Sequence, residues 1–498
     1  AGLRCKVQEM WALKTYTLFT QRRIRDVRLV YVPPLCLGAF GGDADNFEWP
    51  RHTADFALLR AYVAPDGAAA EPDDANVAYA PSRHLPIARE GAAEGDFVFL
   101  LGFPGSTMRY APASRLSYSD EVAVPQLVSD FGAKLELIAT HATDRAAALK
   151  MATARKGLAN EYKRSVGKRV MMRKLKLEAE RKAEEASLCA AAPEAAETLA
   201  ELEGVYAELR RRAPLSEALD AMRGIYHGST LLAVGHALHE GSVEAAKADG
   251  ERETEFRSRN LPFMVKRLAK RLADLHPPHE AALLRRAAAV AGRLPLGLLP
   301  KDYLQQMQLL TKTVNDLEGL AVSLESGTAA SKIVAMSADD LTAALGGDAP
   351  PPEDELAVRV AAALYGAYRE DRDASKALLA TRDKLLATLL EVQQAHAAEG
   401  EAFYPDANGC LRLSAGHVEG YAASDAVVHT PVTTLGGLVD KHLEATLASA
   451  GDDVDGVQGG GEFDAPARLV ELCQTEPAVA ATPACVLYST DTVGGNSG

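Results

Sequence analysis

Hydrophobic residues change their spacing twice along the chain, and these changes divide it into three regions. Up to about residue 120 they occur in short runs separated by proline and glycine, the pattern of β-strands. The clearest runs are residues 15–19, 27–32, 56–63 and 97–103. From about residue 121 to residue 398 apolar residues recur every three or four positions, which predicts amphipathic helices.

Prolines divide the middle region into several predicted helices. One helical stripe is formed by Val265, Leu268, Leu272 and Leu275. Helix breaks are expected at Pro193 and Pro214 and at residues 277–278 and 350–352. The middle region is therefore predicted to be a helical module.

Strand-like runs return after about residue 399, at residues 410–414, 417–421 and 484–489. The sequence thus predicts a mixed α and β fold with three parts: β-strands in residues 1–120, helices in 121–398, and β-strands again in 399–498. The simplest interpretation is a helical domain inserted into one β architecture.

Composition excludes several classes of partner. The chain of 498 residues has 47% hydrophobic residues and a formal net charge of -14, so it has no positive excess to neutralise phosphates. We therefore expect no nucleic acid partner. No apolar run approaches the length of a membrane span. The six cysteines form no C-x-x-C pair, and we expect neither a metal ion nor another cofactor.

The last seven residues, TVGGNSG, place Ser497 between small residues after an apolar run. A serine on such a tight turn is suited to act as a nucleophile. The backbone amides of Gly495 and Ser497 could then converge on one oxygen, as in an oxyanion hole. An ordinary glycine-rich turn is the alternative interpretation, and these residues alone do not decide between the two.

A serine nucleophile needs a base and a carboxylate that orients the base. Asp55 is the best candidate for the carboxylate, because the segment DFALL is similar to the surroundings of the catalytic Asp in chymotrypsin-like proteases. A carboxylate at a strand edge is the alternative. His52 lies three residues earlier, on the opposite face of an extended strand, and is interpreted as structural. No histidine precedes it, so we expect the catalytic one in a segment before residue 1.

Several motifs, in this order, resemble the S46 family of dipeptidyl peptidases, the type 7 and type 11 enzymes. The most specific is GGDADNFEWPRHTADF at residues 41–56. The others are DVRLV at 26–30, GDF at 95–97, GFPG at 102–105, Arg109-Tyr110, LANEYK at 158–163, YPDAN at 404–408, LRL at 411–413, TTL at 433–435 and GGNSG at 494–498.

The resemblance implies a chymotrypsin-type double β-barrel, incomplete here, with a large inserted helical cap domain. It also implies that Asp55 and Ser497 are catalytic. The backbone amides of Gly495 and Ser497 would form the oxyanion hole.

The resemblance further implies how substrate is held. Asn46, Phe47 and Asn160 match the residues that bind the free amino group of the substrate. Phe47 stands where the family usually has Trp, which keeps an aromatic face but loses an indole donor. Asp491, six residues before Ser497, occupies the position of the specificity carboxylate of trypsin-like enzymes. In the resembled family this Asp does not select basic substrates.

The predicted function is a serine dipeptidyl peptidase that releases dipeptides from peptides with free N-termini. We expect the chain as given to be inactive without its histidine. By resemblance, the enzyme is a homodimer that is periplasmic or secreted. Two alternatives remain open: a serine endopeptidase of the HtrA kind, and a non-enzymatic helical interaction scaffold.

Overall fold

The chain divides into two compact units. The structure is a computed structural model that describes residues 3–88, 90–293, 316–327, 331–398, 400–449 and 461–492. One unit combines the two ends of the chain, Ala1–Tyr110 and Glu399–Gly498, and the other is Ala111–Ala398. We call them the β unit and the helical unit.

The β unit contains short antiparallel sheets. Its strands are Leu3–Trp11 (β1), Thr15–Arg22 (β2), Asp26–Tyr31 (β3), Leu58–Val63 (β4), Val77–Ala78 (β5), Phe97–Gly102 (β6), Arg412–His417 (β7), Tyr421–Ser424 (β8), Val427–His429 (β9), Val432–Thr434 (β10) and Pro483–Val486 (β11). β4 pairs with both β3 and β5, and the other pairs are β1–β2, β6–β7, β8–β9 and β10–β11. β6 and β7 pair with each other, and Leu100 lies opposite Ser414. The N-terminal and C-terminal segments of the β unit therefore share one sheet.

The predicted mixed α and β fold is confirmed, but the double β-barrel is not. Within the described ranges, each sheet has two or three strands and none closes into a barrel. Closure requires an unbroken ladder of strands around the whole circumference. The longest ladder here, β3–β4–β5, ends at a strand of two residues.

Helices occur in both units, with α2 to α12 in the helical unit. They are Leu35–Gly38 (α1), Ala113–Tyr118 (α2), Val124–His141 (α3), Arg145–Lys174 (α4), Leu177–Ala191 (α5), Glu194–Met222 (α6), Thr230–Ala245 (α7), Leu261–Ala273 (α8), Pro277–Ala291 (α9), residues 316–325 (α10), Ala338–Gly346 (α11), Leu356–Ala395 (α12), Leu435–Ser449 (α13), Ala467–Thr475 (α14) and Pro477–Ala480 (α15). None of the helices described here is both long and apolar enough to cross a bilayer.

The core of the helical unit surrounds α7. Leu232, Val234 and Leu238 of this helix are almost completely buried. At Gly235 a Cβ atom would lie 2.5 Å from the backbone carbon of Ala357, so α7 and α12 cross at a distance that only glycine permits. The predicted stripe on and just after α8 is confirmed, since all four of its residues are buried.

The helix break predicted at Pro214 is wrong, because α6 continues through this residue. A proline inside a helix removes one backbone hydrogen bond and normally kinks or ends the helix. Residues before and after it, including Tyr206, Ala213 and Leu219, are buried. The packing of both halves of α6 offsets the local cost of the proline.

The sequence also did not predict α13 and α14, which lie in the region interpreted as β-strands. Leu438 of α13 packs with Phe40 and Ala465 in a small buried cluster of the β unit. This cluster connects the segment after α1 to the C-terminal part of the chain, and it lies beside the candidate site.

A group of histidines lies where α3 and α9 meet. His279, in the first turn of α9, is 8% exposed, and its ring centroid is 5.8 Å from that of His141. Burial, followed by the nearby His141 and His276, lowers the pKa of His279 to about 4. The folded helical unit therefore holds this imidazole neutral at pH values where an ordinary histidine is charged.

The lowered pKa predicts an acid-sensitive helical unit. Between pH 6.5 and about 4 the unfolded chain binds a proton at residue 279 that the folded chain does not bind. Stability is therefore lost as the pH falls through this window, by up to about 3 kcal/mol. His279→Phe should flatten this part of the pH profile in thermal unfolding followed by circular dichroism. Parallel profiles for the variant and the unaltered protein would contradict the prediction.

Candidate functional site

The most distinctive sequence motif forms a tight loop after α1. Gly41 and Gly42 both have positive φ angles, 82° and 41°. The amide of Asp45 donates to the carbonyl of Gly41 at 2.8 Å, and a Cβ atom on Gly41 would lie 2.5 Å from that of Asp45. The glycine is therefore required for the loop to fold back on itself.

An ion pair between the buried carboxylate of Asp45 and the partly exposed ammonium of Lys441 connects this loop to α13. Asp45 is 6% exposed, and both of its carboxylate oxygens accept hydrogen bonds from Nζ of Lys441 at 2.8 Å. The same ammonium donates to the carbonyl of Pro50 at 2.8 Å. One side chain of α13 thus holds the middle and the end of the loop.

A second connection comes from the short 3₁₀ helix Gly461–Phe463. The carbonyl of Glu462 accepts from the amide of Gly41 at 2.7 Å, and its carboxylate accepts from the amide of Ala44 at 3.1 Å. The start of the loop is therefore anchored as well as its end.

The fixed loop presents Asn46 and Phe47, which follow the buried Asp45 directly. Asn46 is partly exposed, and Phe47 is 56% exposed. Phe47 has a φ angle of 59°, in the left-handed region that bulky residues seldom occupy. Such a conformation persists only where the surroundings impose it, and it occurs most often at functional sites. Here the anchors on both sides of the residue impose it.

Asp55 follows the loop, before β4. The backbone just before it is tied to α1, because the amide of Ala54 donates to the carbonyl of Leu37 at 2.9 Å. The carboxylate of Asp55 is exposed and accepts no hydrogen bond from the residues that the structure describes. It is positioned by its backbone and available to a partner.

His52 lies against α13. It is 5% exposed, and its Nδ1 atom has no hydrogen-bond partner in the described part of the chain. A Cβ atom on Gly437 would lie 2.6 Å from its Nε2 atom. Burial and then Lys441 lower the pKa of His52, against the opposing effects of Asp45 and Asp440. This setting supports the interpretation of His52 as a structural residue.

The remaining predicted site residues lie elsewhere. Asn160 belongs to the helical unit, where it is partly buried on α4. Gly495 and Ser497 lie outside the described residues. Asp491, which is described, forms an ion pair with Arg109.

The sequence did not indicate Lys441 and Glu462 as site residues. They lie about 400 residues after the loop that they hold. A basic residue on a helix and a glutamate in a glycine-rich stretch carry no local sign of such a contact. Among the described residues, no group of three or more His, Cys, Asp or Glu side chains is arranged to hold a metal ion.

Comparison with known proteins gives consistent similarities. The profile of the Peptidase S46 family matches residues 1–498. The chain is 31% identical to the Asp/Glu-specific dipeptidyl-peptidase of Shewanella putrefaciens, covering 99% of this chain and 69% of the relative. It is 25% identical to dipeptidyl-peptidase 7 of Phocaeicola vulgatus, covering 100% of this chain and 67% of the relative. The chain thus spans about two thirds of the length of each.

A solved structure supports the fold. The crystal structure of Porphyromonas endodontalis DPP11 in complex with the dipeptide Arg-Glu matches with a TM-score of 0.73 at 22% identity. The match covers 100% of this chain and 69% of that one.

The ion pair with α13 predicts how the loop responds to mutation. Lys441→Met leaves the carboxylate of Asp45 buried and unpaired, which typically costs about 3–5 kcal/mol. The loop should therefore open more often, and the amides of Asp45 and Glu48 should exchange hydrogen about 100- to 4,000-fold faster. Lys182→Met removes an exposed ion pair of the helical unit and is the matched control. Unchanged exchange at both amides in Lys441→Met would show that the pair does not hold the loop.

Proposed function

The chain belongs to the Peptidase S46 family, and on this premise we propose that it is a serine dipeptidyl peptidase that removes dipeptides from the free N-termini of peptides. The observation that carries the proposal is the geometry of residues 41–55. A loop anchored at both ends presents Asn46 and Phe47 and leads directly to an exposed, backbone-positioned Asp55. The dipeptidyl-peptidase names of the curated relatives support the same activity.

Each catalytic role follows from the chemistry of the residue. Ser497 attacks the scissile carbonyl, and a histidine oriented by Asp55 accepts its proton and later gives it to the leaving amine. The backbone amides of Gly495 and Ser497 stabilise the oxyanion. The exposed carboxylate of Asp55 suits this role, because it has no competing hydrogen-bond donor among the described residues.

The amino group of the substrate sets where the cut falls. A bound ammonium needs an acceptor for each of its donors, and the side-chain oxygens of Asn46 and Asn160 are suitable acceptors. The face of Phe47 adds an attractive surface for a cation. Holding the ammonium at a fixed distance from Ser497 places the second peptide bond at the nucleophile.

The finer architecture also belongs to the proposal. We infer that residues 1–120 and 399–498 form an incomplete chymotrypsin-type double β-barrel, with residues 121–398 inserted as a helical cap. A homodimer outside the cytoplasm, periplasmic or secreted, fits the family.

The requirement for a free amino group is the first test. The full-length protein should release dipeptides from a peptide with a free N-terminus and should not cleave the N-acetylated form. Ser497→Ala should abolish both this release and labelling by a fluorophosphonate probe. Equal cleavage of both peptides would instead indicate an endopeptidase of the HtrA kind. A protein that cleaves neither peptide and is not labelled at Ser497 would support the scaffold alternative.

The second test separates the proposed roles of Asp55 and Asn46. Asp55→Asn should lower kcat about 10³- to 10⁴-fold, because the histidine loses its orienting charge. Asn46→Ala should lower kcat/KM about 10- to 100-fold, the usual effect of losing a hydrogen bond to a charged group. Steady-state kinetics with one dipeptide substrate measures both. Asp425→Asn, at an exposed carboxylate between β8 and β9, is the control. An Asp55→Asn variant as active as this control would contradict the assignment.

A further inference from the structure

A cavity of about 560 Å³ lies inside the helical unit, which is the size of a typical small-molecule site. Helices α4, α7, α8 and α9 form its walls, together with the connection between α6 and α7. Apolar side chains from different helices line much of it, among them Met151, Leu268 and Leu283. None of the described residues assigned above to the proposed reaction lines this cavity.

One wall of the cavity is a strained loop, residues 223–228. Tyr226 and His227 have φ angles of 49° and 59°, in the left-handed region that bulky side chains seldom occupy. The guanidinium of Arg271 holds the loop in place by donating to the carbonyl of Gly228 at 2.8 Å. Strain of this kind persists only where the surroundings impose it, and it is concentrated at ligand sites.

His279 lines the cavity with a buried atom that lacks a hydrogen bond. The residue is 8% exposed, and its Nδ1 atom has no partner among the described residues. The ring donates to the carbonyl of Leu137, and because Nδ1 is unpaired, Nε2 is the donor atom. Burial above all lowers the pKa of the ring to about 4, so the ring is neutral near pH 7 and Nδ1 carries a lone pair. A buried acceptor requires a donor, and a ligand in the cavity can supply it.

Two cations at the cavity have no carboxylate partner in the described ranges. The ammonium of Lys150 donates to the carbonyl of Leu275 at 3.1 Å and to no other group there. Leu275 directly precedes α9, whose first turn carries His279, so this ammonium lies beside the same end of the cavity. Arg267, on α8, has no ion pair or hydrogen bond with any described residue. These charges favour an anionic ligand over a cationic one.

The carboxylates of the cavity wall do not offset these charges. Glu280 accepts from backbone amides at the start of α7, and Glu240 pairs with an arginine of α12. Asp274 pairs with Lys270. The fourth carboxylate among the described lining residues, Glu255, is exposed to solvent. The cavity therefore retains capacity for an anionic group at Lys150.

We propose that this cavity binds the C-terminal residue of a short peptide, with its carboxylate on Lys150, its amide N–H on Nδ1 of His279 and an apolar side chain against the apolar wall. In the last residue of a peptide these three groups branch from neighbouring atoms, so one small ligand meets all three needs. A free dipeptide and the end of a longer peptide share this chemistry. Binding here does not depend on the proposed function, because the site shares no described residue with the proposed reaction.

The test is the binding of N-acetyl-L-leucine to the full-length protein. This compound has the carboxylate, the amide N–H and the apolar side chain, and it lacks the free amino group that the proposed catalytic site requires. Isothermal titration calorimetry should show saturable binding with a Kd of about 1 mM or tighter, as expected for a ligand of this size. N-acetyl-L-leucinamide, which lacks the carboxylate, should bind at least about tenfold more weakly.

A longer probe distinguishes the two sources of the ligand. An N-acetylated pentapeptide of four alanines and a C-terminal leucine should bind as tightly as N-acetyl-L-leucine if the cavity admits the end of a longer peptide. Much weaker binding of the pentapeptide would identify free dipeptides as the ligands. Both results support the site, provided that N-acetyl-L-leucine binds.

Substitutions at the cavity locate the binding. Lys150→Met should weaken binding of N-acetyl-L-leucine about 10- to 100-fold, and Lys150→Arg should retain most of it, because the lost contact is a charge-assisted hydrogen bond. His279→Phe should weaken it about 3- to 10-fold. Lys150 is exposed, so its replacement keeps the fold even if that of His279 does not. Lys182→Met and His396→Phe, at exposed residues outside the cavity, are the matched controls and should leave the Kd unchanged.

Two results would overturn the inference. One is the absence of saturable binding of N-acetyl-L-leucine to the folded protein. The other is binding that neither Lys150→Met nor His279→Phe weakens relative to the controls, which would place the ligand elsewhere. Peptidase activity is scored separately: a protein that cleaves no dipeptide substrate but binds the probe as described supports the site and rejects the proposed function.

Discussion

The ion pair between Lys441 and Asp45 is the interaction on which the candidate site depends. A buried carboxylate is stable only when it is paired and hydrogen-bonded, and the ammonium of Lys441 meets both oxygens of this one. The same ammonium donates to the carbonyl of Pro50, so one side chain fixes both the middle and the end of the loop. Everything that the loop presents is positioned relative to α13.

This arrangement explains how a loop can serve as a precise binding element. Loops carry function when a rigid scaffold positions them, and here the scaffold consists of α13, the 3₁₀ helix with Glu462, and α1. The left-handed backbone of Phe47 stores strain that the anchors on both sides maintain. The ring is thereby held at the surface, 56% exposed.

The sequence predicted those features of the structure that depend on local residue patterns. The buried stripe of α8, the mixed α and β fold and the family follow from spacing and from short motifs, and they are confirmed. Contacts between distant segments leave no local trace, which is why Lys441 and the pairing of Arg109 with Asp491 were not foreseen. The continuous helix α6 was not predicted for a related reason. Packing along both halves of this helix outweighs the tendency of Pro214 to break it. The roles of Asn46, Asp55 and Asn160 remain predictions, as do those of Gly495 and Ser497, which lie outside the described residues.

The central claim is that the loop held by Lys441 receives the amino terminus of the substrate. A crystal structure of the full-length Ser497→Ala variant with a bound tripeptide tests it most directly. We expect the substrate ammonium within hydrogen-bonding distance of the side-chain oxygen of Asn46, with both bonds from Lys441 to Asp45 intact. A tripeptide whose ammonium lies away from Asn46, or a loop released from Lys441 in the complex, would contradict the account.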